Sequence, residues 1–240
     1  MKKLFYLLLL GIITGGCMFI RMRTSGFLDH LYTTQSKYPF SQGVSFFVLE
    51  NPDAENPIFE KEIKAKIEKL LINQGYTIGD YMNADYYIVF GYAIDSGHNV
   101  TTPVPIYHPG ETIYHTGRVN VYTSDGSYGW GDYYGTTTTP GYFTYIPASR
   151  REYTRRFQVK VLDANILRNS GKEKVIWVGD TISTGSSSDL RFVINYLLVA
   201  TFKHFGENTR RAVRTTMSIT DKRVKELLVD SEAEETSENE

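Results

Sequence analysis

Residues 83–95 read NADYYIVFGYAID, and the placement of this stretch decides the fold. Tyr86, Ile88, Phe90, Tyr92 and Ile94 fall on one face of an extended chain, and Tyr87, Val89, Gly91 and Ala93 on the other. Both faces are largely apolar, which marks a central strand covered on both sides. Upstream, GVSFFVLE at 43–50 is a second apolar run rich in β-formers. NPDAENP at 51–57 is a turn by composition. Phe59, Ile63, Ile67, Leu70 and Leu71 then recur at helical spacing, with Lys61, Lys64 and Glu68 outside that face. Asn56 is suited to cap this helix, Pro57 to its first position and Gly75 to its end. Strand, helix and central strand in that order read as a right-handed βαβ unit.

Downstream, residues 97–150 break the pattern with Gly, Thr, Tyr and Pro. Asp125-Gly126 is a hairpin signal, and GTTTTPGYFTYIP (135–147) reads as loop, so the insert is expected to be an elaborated hairpin with a flexible excursion. REYTRRFQVKVLDA (151–164) alternates again: Tyr153, Phe157, Val159 and Val161 face in, with Arg155 on the same parity, and Thr154, Arg156, Gln158 and Lys160 face out. Asn169 and Gly171 turn the chain into EKVIWVGDTIS (173–183), giving an antiparallel pair. Ser188 is the expected cap of a second helix, with Leu190, Val193, Ile194, Leu197, Leu198, Thr201 and Phe205 on its buried face and Gly206 at its end. The fold class is therefore α+β: a two-layer sandwich, β-α-β-(insert)-β-β-α, with a mostly antiparallel sheet and two helices on one face. The expected organisation is a signal segment at 1–16, a tether at 17–42, the α+β domain at 43–206 with its insert at 97–150, and a polar tail at 207–240. Within that tail a short helical turn precedes an acidic, disordered end.

The 240 residues are 41% hydrophobic and 22% charged, which excludes a multispan membrane protein and a wholly disordered one. A net charge of −1 supplies no general attraction for nucleic acid. The one cysteine, Cys17, excludes an internal disulfide. It follows Lys2 and Lys3, an apolar run from Leu4 to Ile13, and Gly15-Gly16. Charge, apolar run and small residues in that order are the signature of a secretory signal peptide. The alternative is an uncleaved anchor running on through Met18, Phe19 and Ile20.

ITGGC at 13–17 resembles a bacterial lipobox, with Thr14 departing from the more usual Leu. The resemblance implies cleavage before Cys17, acylation of its thiol and anchoring in the cell envelope, at the outer membrane in a Gram-negative cell. Gly75-Tyr76, Ala84-Asp85, Asp163-Ala164 and Trp177-Val178-Gly179 carry a second resemblance, to a bacterial lipoprotein family catalogued only as a domain of unknown function. It implies a compartment and a fold, and brings no catalytic residue.

Chemistry is sparse. There is no G-x-S-x-G elbow and no glycine-rich phosphate loop. Asp95, Glu111, Asp125 and Asp132 in or beside the insert are candidate carboxylates for glycan hydrolysis, and His98, His108 and His115 fit no zinc spacing. No cofactor or metal is expected. The strongest functional feature is a set of insert aromatics set among glycines and threonines: Tyr107, Tyr114, Tyr122, Tyr128, Trp130, Tyr133, Tyr134, Tyr142 and Tyr145. Such rings suit adaptable binding surfaces, and equally suit pairing across a hairpin. The expected function is that of a non-catalytic envelope lipoprotein that contacts the membrane through its lipid and other envelope components through its domain. A glycan- or peptidoglycan-binding module and an envelope hydrolase are the alternatives.

Overall fold

In the computed structural model, the stretch at 83–95 forms the central strand β4 (Tyr86–Ile94). Strand β1 is Phe19–Leu28, β2 is Ser45–Val48, helix α1 is Pro57–Asn73 and β3 is Thr77–Ile78. After β4 come β5 (His98–His108), β6 (Glu111–Tyr122), β7 (Tyr128–Thr139) and β8 (Tyr142–Asp163). Helix α2 (Ala164–Ser170), β9 (Val175–Gly185), α3 (Leu190–Phe202) and β10 (Val213–Ser218) follow, and residues 222–228 form α4. Residues 19–29, 40–41 and 43–228 are described. The signal segment, Cys17 and the acidic end at 229–240 lie outside the described residues, as does most of 30–42. The described chain is α+β with a mostly antiparallel sheet. Two compact units divide it, residues 1–98 with 152–240, and residues 99–151.

In the first unit the strand order is β10-β1-β9-β8-β4-β2-β3. β2 pairs in parallel with β4 and β3, and the remaining ladders of this path are antiparallel. The β2-α1-β4 order is the expected βαβ crossover. Asn56 caps α1 by accepting from the Phe59 N–H at 3.0 Å, and Gly75 takes a φ of 87° just beyond its end. Ile63, Ile67 and Leu71 of α1 are fully buried, as are Ile194, Leu197 and Leu198 of α3. These join Phe46, Val48, Ile88, Phe157, Val159 and Val161 from the strands in one core. The opposite face of β4 contributes Tyr87, beside Ala84, Leu162 and Ala164, to a second, smaller cluster. Two-sided burial explains why both faces of this strand are apolar.

Four expectations are corrected. The tether proposed for 17–42 is not one over Phe19–Leu28: β1 lies between β10 and β9, paired along its length. Its inward residues, Met22 and Thr24, are buried, and Thr24 accepts from the Thr181 hydroxyl at 3.0 Å. The polar tail contains β10, which closes that edge, with Met217 buried. The cap of α3 is Asp189, not Ser188; its carboxylate accepts from the Phe192 N–H at 2.9 Å. The β8–β9 connection is the helix α2, ended by Gly171 at φ 66°.

The paired motifs have structural work. The Asp85 carboxylate accepts from the Ser45 N–H at 2.8 Å and the Ser45 hydroxyl at 2.7 Å, which locks β4 to β2. Asp163 caps α2 through the Ile166 N–H. A side chain on Gly179 would collide with the buried Trp177 ring. Arg155, on the inward parity, is buried, and it donates to the carbonyls of Gly185 and Ser187.

Two outcomes follow. Trypsin leaves the bonds after Arg21 and Arg23 intact in the native chain, because Arg21 is paired with β10 and Arg23 with both β10 and β9; rapid cleavage there with the body intact contradicts that pairing. The Ser45 backbone and hydroxyl bonds hold the Asp85 carboxyl below its usual range. Its contribution is therefore full above the unfolded carboxylate pKa and is lost as pH falls through the lowered folded value. Asp85→Asn lowers stability by about 1 kcal/mol near neutral pH and flattens this part of the acid dependence, measured by urea unfolding at several pH values.

Candidate functional site

The second unit, 99–151, is built of β5, β6, β7 and the first part of β8. β6 and β7 form an antiparallel ladder from Glu111↔Thr139 to Tyr122↔Tyr128. Asp125-Gly126 makes the turn: Gly126 takes a φ of 82°, and the Asp125 carboxylate accepts from the Ser127 N–H at 3.0 Å. β5 pairs with β8, with Thr101 bonded to Ser149, Tyr107 against Phe143, and His108 stacked on Tyr142. The insert expected to be partly loop is thus a ribbon of two long paired stretches. Pro109-Gly110 and Pro140-Gly141 lie opposite one another between them. Read singly, each Pro-Gly signals a turn. Side by side they interrupt the ladder without reversing it.

No described residue of this ribbon is buried. All nine predicted aromatics are exposed, from 49% for Tyr133 to 81% for Tyr134. Directly opposed residues of a ladder share a face, as do residues two apart on a strand. Tyr114, Tyr122, Tyr128, Trp130 and Tyr134 therefore lie on one face of β6–β7, together with Arg118 and Asp132. The Arg118 guanidinium lies 4.2 Å from the Trp130 ring centre, and its Nε donates to Asp132 at 3.2 Å. Tyr122 and Tyr128 meet at 5.2 Å. The other face carries Ile113, His115, Val119 and Tyr133, with Gly117, Gly129, Gly131 and Gly135. Tyr133 lies over Gly117, where a side chain would collide with its ring. Tyr107, Tyr142 and Tyr145 belong to the β5–β8 stretch. Tyr107, Tyr122, Tyr128 and Tyr142 thus pair with rings across strands, and all nine aromatics remain exposed.

The candidate acids and imidazoles are dispersed. Glu111 and His115 are four residues apart on one strand, roughly 13 Å at the usual rise, too far to share a metal. His108 and His115 bond to Thr144 and Thr137. The Thr154 backbone N–H holds the Asp95 carboxyl below its usual range, and the Thr123 hydroxyl does the same for Asp125. A general acid needs the opposite shift. Among the described residues, no three His, Cys, Asp or Glu side chains are grouped to hold a metal.

The sequence reading missed a set of buried charges in the first unit, for which no motif exists. Glu60 accepts from the Asn51 N–H, and Lys66 pairs with Glu62, which also takes Arg191. Burial, and then Glu60, push the Tyr92 hydroxyl up to about 12. Glu62 thus joins Lys66 and Arg191, while Glu60 is held separately by the Asn51 backbone.

Comparison with known proteins adds a family and a distant likeness. A PDZ domain protein from Parabacteroides distasonis ATCC 8503 is similar over 84% of this chain and 39% of its own, at 14% identity and a TM-score of 0.40. The chain thus spans about two fifths of that protein's length. No curated protein matches the sequence. The model of the family described as a domain of unknown function, DUF4136, matches residues 31–205. The chain belongs to this DUF4136 family.

Proposed function

We propose that this protein is a non-catalytic lipoprotein of the bacterial cell envelope, acylated at Cys17, whose ribbon is a contact surface for other envelope components. The observation that carries this reading is the start of β1 at Phe19. Phe19 and Ile20 are committed to the sheet, so they are unavailable to a membrane span. Only fifteen residues separate Lys3 from Phe19, against about 20 for a spanning helix. The apolar start therefore favours a cleaved signal over a retained anchor. Cys17 is two residues before the first paired residue, at most roughly 7 Å of chain. An acyl anchor on Cys17 leaves almost no tether between lipid and sheet. Each buried methylene contributes about 0.8 kcal/mol, so two or more chains hold the protein firmly. In a Gram-negative cell the outer membrane is the favoured site, with the domain facing the periplasm or the surface. The contacts of α1 with α3, and of α3 with β1 and β9, support the reading of the body as a two-layer sandwich with both helices on one face.

A second reading, glycan or peptidoglycan binding, is favoured by the exposed face holding Tyr114, Trp130 and Tyr134. Aromatic faces stack on sugar rings, and the threonines beside them supply hydroxyl partners.

Wild-type chain takes up labelled fatty acid and fractionates with membranes, its mature N-terminus by mass spectrometry being acylated Cys17; Cys17→Ser does neither. A mature chain that keeps residues before Cys17, or wild type without label, contradicts the anchor. For the glycan reading, Trp130→Ala with Tyr134→Ala reduces co-sedimentation with peptidoglycan about tenfold or more. Unchanged sedimentation removes that reading and leaves the anchor untouched.

A further inference from the structure

The two halves of the ribbon treat their edges differently. A strand edge exposes N–H and C=O groups that template pairing with another chain, and proteins blunt it with proline or lysine. The β5–β8 stretch carries Pro103, Pro105 and Pro147. Proline has no N–H to donate, so it fits a ladder only where that group would point away from the partner. β6 and β7 run for 12 residues each with no proline and no lysine. Among the described residues neither outer edge of this pair is hydrogen-bonded to another strand. A two-stranded ribbon without a covered face is marginal in water by itself.

We propose that β6 and β7 are an assembly element, in which β6 of one copy pairs antiparallel with β7 of the next. Charge selects this partner. β6 carries Arg118 and β7 carries Asp132, directly opposed within one chain. Repeating that register between copies sets each Arg118 between two Asp132 carboxylates, and each Asp132 between two Arg118 guanidinium groups. Opposite charges in direct opposition stabilise a sheet. Pairing β6 on β6, or β7 on β7, covers one edge and leaves the other open in every copy. The β6–β7 rule covers both with a single contact. It is a head-to-tail interface, which closes into a ring or continues as a filament. Every copy then presents its aromatic, hydroxyl-rich face on the same side, and the face of Ile113, Val119, Tyr133 and glycines on the other. Self-pairing requires neither acylation of Cys17 nor a glycan.

The test uses two full-length variants, Arg118→Cys and Asp132→Cys, purified separately, then mixed and oxidised. Opposed residues of an antiparallel ladder lie at disulfide distance. The mixture gives a disulfide that joins residue 118 of one copy to 132 of another by peptide mapping, and neither variant alone gives a link at its own site. Unmodified chain runs larger than a dimer by light scattering. The charge swap Arg118→Asp with Asp132→Arg keeps that size, whereas Asp132→Arg alone reduces it. Links of 118 to 118 or 132 to 132, a link to a different protein, or a monomeric unmodified chain overturns the proposal.

Discussion

Phe205 is the contact on which the body depends. Its ring meets Phe202 of α3, Trp177 of β9, Phe46 of β2, Phe40 before β2 and Tyr76 after α1, with centroids 5.0 to 5.8 Å apart. Those five residues come from five separate parts of the chain. One ring therefore ties the crossover unit to the β8–β9 half, and each such pair adds about 0.5–1.5 kcal/mol beyond burial of area. The cluster also seats β1. Trp177 donates to the Glu207 carbonyl at 2.9 Å, and a side chain on Gly26 would collide with that same carbonyl. Thr24, Thr181 and Thr201 continue the join as a buried chain of hydroxyls from β1 through β9 to α3.

The ribbon obeys the opposite rule. It has long ladders, a well-made turn and paired rings, and none of its described side chains is buried. Hydrogen bonds within a ladder set the register of such a ribbon but contribute little net stability against water. Its exposed rings and unblunted edges are costs unless something covers them. The body supplies a fold and the ribbon supplies contact surface, so function on this account lies in what the ribbon touches.

The sequence was most legible where burial has a period. The two-sided strand β4, the α1 face and the alternation of β8 all register there, because a fixed core side forces a fixed spacing. β1 has a period as well, Ile20, Met22 and Thr24 alternating with Arg21 and Arg23, but the apolar run before it makes the segment resemble a tether. β10 is short, and its inward Thr215 and Met217 give a weak pattern. The ribbon was partly legible. Its aromatics were identifiable as a set, while their division between faces depends on the Arg118↔Asp132 register, which spacing alone does not reveal. The two Pro-Gly dipeptides act jointly across strands, so neither one alone shows that the ladder continues. The spacing of Glu62 and Lys66 by four on a helix signals their ion pair, but not its burial, since a lysine on a helix reads as solvated until its partners are placed.

On the proposed reading, a lipid anchor at Cys17 would give these features a shared setting. An anchor two residues from β1 would bring many copies of the body to one membrane plane and raise their local concentration, which would favour any edge-to-edge contact. The most direct measurement is amide hydrogen exchange over 111–122 and 128–139 in the purified full chain. In an isolated two-stranded ribbon only alternate N–H groups are bonded between strands. The account predicts slow exchange at consecutive residues of both strands, comparable to β9. Fast exchange at every second residue, with β9 still protected, would contradict it.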